Sequence, residues 1–327
     1  MGDRDNTWAV VLAAGDGTRL SSLTTTPSGV SIPKQFCSLR GGASLLHEAV
    51  KRAESIVPAD RTCTIVAAQH RIWWERPLAS FPAANVIVQP RNRGTANGVL
   101  LPLLRILTRD PDARLILLPS DHHVRDEARL ARALRKAVGQ LRSPSDGIIL
   151  LGLEPEESDP ELGYIVPGRA CGEGSFAVER FVEKPSEMQA RELIGHGGLW
   201  NAFIIAAAGR ALLGLFERRC ADVVANMRAA LEREATTCAH GPLDDLYARL
   251  PLLDFSKDIL EGQETHLRVL PVARCGWSDL GTPKRVAETL RRVQHDEQSM
   301  LHPHAGNAYL NLAAQSSGYQ SLGSTHA

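Results

Sequence analysis

The chain has 327 residues, of which 43% are apolar and 23% charged, and its formal net charge is +0. That size and balance suit one large α/β domain or two ordinary ones, and no basic field argues for nucleic acid. No run approaches the ~20 apolar residues that span a bilayer, and the first apolar run is too short, with too acidic a flank, for a signal peptide. A cytoplasmic protein without a membrane partner is therefore expected.

In chain order, Ala9–Ala14 reads as a strand buried on both faces. It breaks into Gly15-Asp16-Gly17-Thr18-Arg19, where two glycines let backbone N–H groups approach an anion and Arg19 adds a planar fork of donors. Pro33-Lys34-Gln35 brings a second cation. A triphosphate is the natural guest. The two common phosphate motifs do not fit, because Leu20 stands where a dinucleotide fingerprint needs its third glycine and no Gly-Lys pair of a P-loop occurs.

Leu45–Ser55 is predicted as a helix, Cys63–Ala67 as the second buried strand and Val86–Val88 as a third, ending at Gln89. Leu100, Leu103, Leu104 and Leu107 mark a helix over Thr95–Thr108. Leu115–Leu118 is the fourth strand and runs into Pro119-Ser120-Asp121-His122; a helix, Glu127–Leu141, and a strand, Ile148–Leu151, follow. This alternation predicts an α/β fold with a doubly wound, mostly parallel sheet. Sites in such sheets lie beyond the carboxyl ends of strands, where Gly15, Gln89 and Asp121 fall.

The second half changes texture. Gly163–Val166 and Ala177–Phe181 read as a small antiparallel pair around Gly172-Glu173-Gly174, followed by Val182-Glu183-Lys184-Pro185. A helix over Ser186–Ile194 has Ser186 and Gln189 placed as a capping box. Trp200–Ala206 is a strand, Ala208–Arg218, Ala221–Arg233 and Leu243–Leu250 are helices, and His266–Pro271 is a late strand before Trp277-Ser278-Asp279-Leu280-Gly281-Thr282. A last helix covers Thr282–Val293, and from Gln294 the composition suggests a flexible tail in which His302 and His304 carry no role. The six cysteines form no Cys-x-x-Cys pair and read as plain thiols, so zinc is not indicated.

On the residues alone, Asp121 is either a turn cap or a magnesium ligand. Gln89 and Thr95 are a strand end and a helix cap, or contacts to a base edge. Glu183 and Lys184 are a solvated strand edge, or an acceptor and a cation for a sugar phosphate.

Taken together, Gly-x-Gly-x-Arg-Leu, Pro-Lys-Gln, Pro119–His122, Glu183-Lys184-Pro185 and Trp-Ser-Asp-Leu-Gly resemble the signature of the sugar nucleotidyltransferases, over about Trp8 to Val293. The resemblance implies that Ala14, Gly15 and Gly17 hold the triphosphate, that Arg19 and Lys34 are catalytic through charge neutralisation, and that Gln89, Gly94 and Thr95 face the base. It gives Gly163, Tyr164, Glu183, Lys184 and Asn201 to the sugar phosphate, and Asp121 and Asp279 to Mg²⁺. It also implies a nucleotide half at about 8–155, a sugar-binding half at about 156–293 and a tail over 294–327. The base segment and Trp-Ser-Asp look more like the guanylyl branch than the thymidylyl or uridylyl ones, so GTP and mannose 1-phosphate are the expected substrates. Another base or sugar, or a non-catalytic relative that binds a nucleotide-sugar, are the alternatives, and a homo-oligomer is left open. Three departures stand out: Ser22 where the family usually has proline, Asn97 where guanylyl relatives often carry proline, and a Thr24–Ser31 segment longer than usual. Asp258 lies in a stretch loosely like the family's sugar-side helix.

Overall fold

The computed structural model describes residues 6–39, 41–143, 147–237 and 241–300. The opening apolar run forms β1 (Thr7–Ala13), buried at all but one position. After the glycine loop come a single turn, α1 (Ser21–Thr24), and α2 (Leu45–Glu54), whose N-cap Ser44 accepts from the His47 N–H. β2 (Thr62–Ala67), the short α3 (Arg71–Trp74), β3 (Val86–Gln89), α4 (Gly94–Arg109), β4 (Arg114–Pro119), α5 (Glu127–Gly139) and β5 (Ile148–Leu153) complete the first half. In the second half β6 (Gly163–Gly172) and β7 (Ser175–Val182) form the expected hairpin, and α6 (Glu187–Gly195) begins with the expected capping box. β8 (Leu199–Ala208), α7 (Gly209–Thr237), α8 (Gly241–Arg249), β9 (Leu267–Val272) and α9 (Pro283–Met300) follow.

The nine strands among the described residues lie in one sheet, ordered β3-β2-β1-β4-β8-β5-β9-β7-β6. The run β3-β2-β1-β4 is parallel, as the βαβ alternation requires. Beyond it the sheet is mixed: β8 is antiparallel to both β4 and β5, while β5 and β9 are parallel. β7 and β9 pair antiparallel, and β6 pairs back onto β8, so β8, β5, β9, β7 and β6 make a closed cycle. One strand thus joins the two parts. The C-terminal half of β8 lies against β4 at Ile205–Ala208, and its N-terminal end lies against β6 at Leu199–Asn201. The site opens between those two pairings.

Apolar layers cover both faces of the sheet. One is built from α4, α7 and α8, with Leu100, Leu103, Phe216 and Tyr247 fully buried; the other is built from α2, α5 and α6. A third, small cluster joins Leu20 of the glycine loop to Leu45, Leu280, Val286 and Leu290, fastening α9 beside the loop. The two helices expected over Ala208–Arg218 and Ala221–Arg233 are both present within α7, separated by a kink at Cys220, where φ is −150° and ψ is 53°. The last helix runs on to Met300, past the expected boundary at Val293. His302, His304 and Cys238 lie outside the described residues. Among the described residues no helix is long and apolar enough to cross a membrane.

Candidate active site

At the carboxyl ends of the parallel strands lies a cavity of about 540 Å³. Ala14, Gly15, Gly17, Arg19, Lys34, Gln89, Gly94, Thr95, Asp121, Gly163, Glu183, Lys184, Asn201 and Asp279 all line it. Tyr164 is the exception among the sequence-derived positions. It is fully buried; its hydroxyl accepts from Trp200 Nε1 at 3.2 Å and from the Asp159 N–H at 2.8 Å, and lies 3.1 Å from the Asp159 carbonyl as donor. That makes Tyr164 a support beneath the cavity rather than part of its wall.

The glycine loop is held from below. The Gln35 amide donates to the carbonyls of Ala13 at 3.0 Å and Gly15 at 2.7 Å. Gly17 sits at φ +64°, and a Cβ there would fall 2.7 Å from the Lys34 nitrogen, so only glycine lets the loop close on Pro33–Lys34. The long Thr24–Ser31 segment does not disturb this closure. It folds on itself, with Thr26 N donating to Val30 O at 2.9 Å and Ile32 N to Thr24 O at 3.0 Å, while Ser22 occupies a turn of α1. Asp16, between the glycines, accepts from Asn92 Nδ2 at 2.9 Å and Gln69 Nε2 at 3.1 Å. The Arg19 side chain is 58% exposed and has only a screened contact with Glu161 at 3.7 Å, so its fork is open to an anion.

Lys34 is buried, and its Nζ reaches Asp121 Oδ2 at 2.9 Å and donates to the Asp279 carbonyl at 2.7 Å. Burial works against the charged form of Asp121, but Lys34 and His122 beside it hold its carboxyl below the usual range. His122 is pushed down to about 4, chiefly by burial. Its tautomer follows from its neighbour: Trp277 Nε1–H, which can only donate, lies 3.2 Å from His122 Nδ1. The ring proton therefore sits on Nε2, turned toward Asp121 Oδ1 at 3.5 Å. Asp279 is buried too, and Arg285 Nη1 donates to its Oδ1 at 2.7 Å; this guanidinium outweighs burial and keeps the carboxyl below its ordinary value. No motif in the sequence singled out Arg285 or its second partner, Asp159. The two cavity-lining carboxylates are hard oxygen donors beside the glycine loop, a donor set that fits a hard divalent cation keeping part of its water shell.

At the β3 end of the cavity, Gln89 is buried and its Oε1 has no hydrogen-bond partner among the described residues, with the Gly98 backbone packed close beneath it. The following segment is fastened to the second half of the chain. Arg93 donates to the carbonyls of Tyr247 at 2.7 Å and Ala248 at 2.8 Å, and Asn97 Nδ2 donates to Arg93 O at 2.7 Å and Pro251 O at 3.0 Å. Asn97 thus ties the first turn of α4 to the segment at Pro251. Gly94, at φ +86°, would place a Cβ 2.1 Å from the Leu253 carbonyl. Thr95 Oγ1 accepts from Phe255 N at 2.8 Å, so its hydroxyl serves this latch.

At the opposite end of the cavity, Glu183 lies against Gly163, where a Cβ would come 2.5 Å from Glu183 Oε2 and 3.2 Å from Asn201 Cβ. Burial, reinforced by Asp254, lifts the Glu183 carboxyl to about 7. Lys184 beside it is exposed and holds a left-handed backbone at φ 49°, and Phe203 another at φ 57°, both lining the cavity. Such strained non-glycine residues persist where surrounding structure enforces them, often at functional sites. Asn201 Nδ2 reaches Ser256 Oγ at 3.3 Å in the single π-turn over Phe255–Leu260. Asp254, Ser256 and Asp258 line the wall there; of these only Asp258 was marked by the sequence.

The nucleotidyl transferase family description matches residues 8–296. The chain belongs to that family. Among its relatives, a mannose-1-phosphate guanylyltransferase of Salmonella muenchen is 29% identical over 286 residues, covering 84% of this chain and 57% of that protein. The alginate biosynthesis protein AlgA of Pseudomonas fluorescens is 28% identical over 278 residues, covering 83% and 56%. This nucleotidyl transferase chain therefore spans little more than half the length of these curated relatives. A crystal structure described as a mannose-1-phosphate geranyltransferase from Thermus thermophilus superposes with a TM-score of 0.71 at 31% identity, covering 84% of this chain and 76% of that one.

Proposed function

We propose that this nucleotidyl transferase moves GMP from GTP to mannose 1-phosphate and releases pyrophosphate. The observation that carries the reading is the cavity itself, which has a phosphate loop, an orphaned base-side acceptor and a sugar-side acid–cation pair on one continuous wall. A buried carbonyl oxygen without a partner favours a ligand with donors on its edge, and guanine offers two. The names of the relatives support the choice of guanine and of mannose 1-phosphate.

The chain's residues supply position and charge. A phosphate monoester is already an anion at neutral pH, so the attacking oxygen needs no base, and the barrier falls through alignment and charge neutralisation. The N–H groups of Gly15–Gly17 cradle the triphosphate, and Arg19 takes up charge on its oxygens. Lys34 lies under the loop and holds Asp121. Glu183 accepts from a sugar hydroxyl, and Lys184 faces the sugar phosphate. Asp121 and Asp279 are the residues that would hold a divalent cation, which we take to be magnesium; when bound, it supplies charge withdrawal at the phosphoryl oxygens.

The test is a pyrophosphate-release panel of four nucleoside triphosphates against several sugar 1-phosphates. GTP with mannose 1-phosphate should give the highest kcat/KM. Comparable values with UTP or dTTP would overturn the guanylyl assignment, and no release with any pair would leave a non-catalytic nucleotide-sugar binder.

A further inference from the structure

Both carboxylates offered to the cation already have a cationic partner. Asp121 is paired with Lys34 at 2.9 Å, and Asp279 with Arg285 at 2.7 Å. Arg285 is buried and forks, its other terminal nitrogen bound to Asp159. Its guanidinium lies 5.6 Å over the Trp200 ring, which fixes its plane. It stands in the first turn of α9, behind the cap in which its N–H meets Thr282 Oγ1 at 3.3 Å. A cation there opposes the helix dipole, so its place is set by the two acids it binds and not by the helix. Among these groups in direct contact, three carboxylates (Asp121, Asp159, Asp279) face two fixed cations (Lys34, Arg285), leaving one net negative charge.

We propose that Arg285 is the resident counter-cation of Asp279, a positioning residue that keeps the divalent-cation site weak until a triphosphate brings its own charge. The proposal rests on the reading of Asp279 as a cation ligand. A site with one net negative charge has little to offer a free dication, whereas a bound triphosphate adds several negative charges beside it. Arg285 thereby orients the Asp279 carboxylate and stops the empty site from collecting metal alone.

The experiment titrates the full chain with Mn²⁺ alone, following free Mn²⁺ by electron paramagnetic resonance, and repeats the titration with GTP. Wild-type protein should bind Mn²⁺ weakly alone and much more tightly with GTP. Arg285→Gln keeps hydrogen-bonding groups but removes the charge, and should tighten Mn²⁺ binding in the absence of GTP by roughly tenfold or more. Asp159→Asn removes an acid while leaving Arg285 to Asp279, and should weaken it. A merely structural role would move both variants the same way, so opposite signs support the proposal and shared signs overturn it. Should Arg285→Gln fail to fold, Asp159→Asn decides: weaker binding supports the proposal, and unchanged or tighter binding overturns it. Mn²⁺ binding that Asp279→Asn leaves untouched would remove Asp279 as a ligand, a failure of the underlying reading that is distinct from unchanged binding in the Arg285 variant.

Discussion

Glu183 ties the ionisation of a cavity-lining carboxyl to stability, and the coupling can be measured. Burial and the nearby Asp254 lift its carboxyl from the ordinary 4.5 to about 7. The folded protein therefore holds this proton more tightly than the unfolded chain does. Its favourable contribution is complete below the unfolded value and is lost as pH rises through about 7. Each tenfold in proton affinity is worth about 1.4 kcal/mol, so the displacement corresponds to about 3 kcal/mol as an upper limit. Glu183 is only half-buried, and solvent screening brings the expected effect to about 1–2 kcal/mol. Glu183→Gln keeps the shape and cannot ionise. Urea denaturation should show the variant more stable than wild type by that amount at about pH 8, with the difference gone at about pH 4. The same variant should raise KM for the sugar phosphate at the higher pH, because a charged acceptor has been lost. A stability gain that is equal at both pH values would refute the argument, since it would come from packing and not from the buried charge.

Three further outcomes are expected. Lys184→Ala should raise KM for the sugar phosphate by roughly ten- to a hundredfold, the value of one charged hydrogen-bond partner, and an effect confined to the nucleotide KM would place Lys184 elsewhere. Gly94→Ala combines a disfavoured left-handed backbone with a Cβ 2.1 Å from the Leu253 carbonyl; it should lower unfolding free energy by about 2–4 kcal/mol in denaturant melts. Leu290→Ala opens a hole in the small cluster beside Leu20 and Leu280. It should cost about 2–3 kcal/mol, and a neutral result would show that α9 is dispensable to the glycine loop.

The sequence revealed the elements better than their assembly. Ala9–Ala14 announces a buried strand because only apolar side chains fit both faces, and the structure places that strand between two parallel neighbours. Trp200–Ala206 announces a strand equally well, but nothing in its apolar pattern states its direction, and it runs antiparallel to all three of its partners, β4, β5 and β6. At the site, residues within short motifs were legible because glycine, arginine and aspartate at those spacings have specific chemistry. Tyr164 shows the limit of motif transfer: it follows Gly163, yet strand alternation turns it into the core. Arg285, Asp159 and the Arg93–Asn97 latch were invisible for another reason. Their partners lie far along the chain, at separations of 126 residues for Arg285–Asp159 and 154 for Arg93–Tyr247, and local periodicity carries no record of such contacts.

The position of β8 limits how relatives of this fold can be recombined. Although the chain reads as a nucleotide half followed by a sugar half, two strands of the later half, β8 and β9, flank β5 of the earlier one. A chimera cut near residue 155 would import β8 and β9 from a different parent, and both would have to mate edge to edge with β5 of the recipient. On the sugar site proposed above, sugar preference is better grafted as the hairpin β6–β7 with its Glu183-Lys184 tail, whose seams with β8 and β9 are three and two residue pairs long.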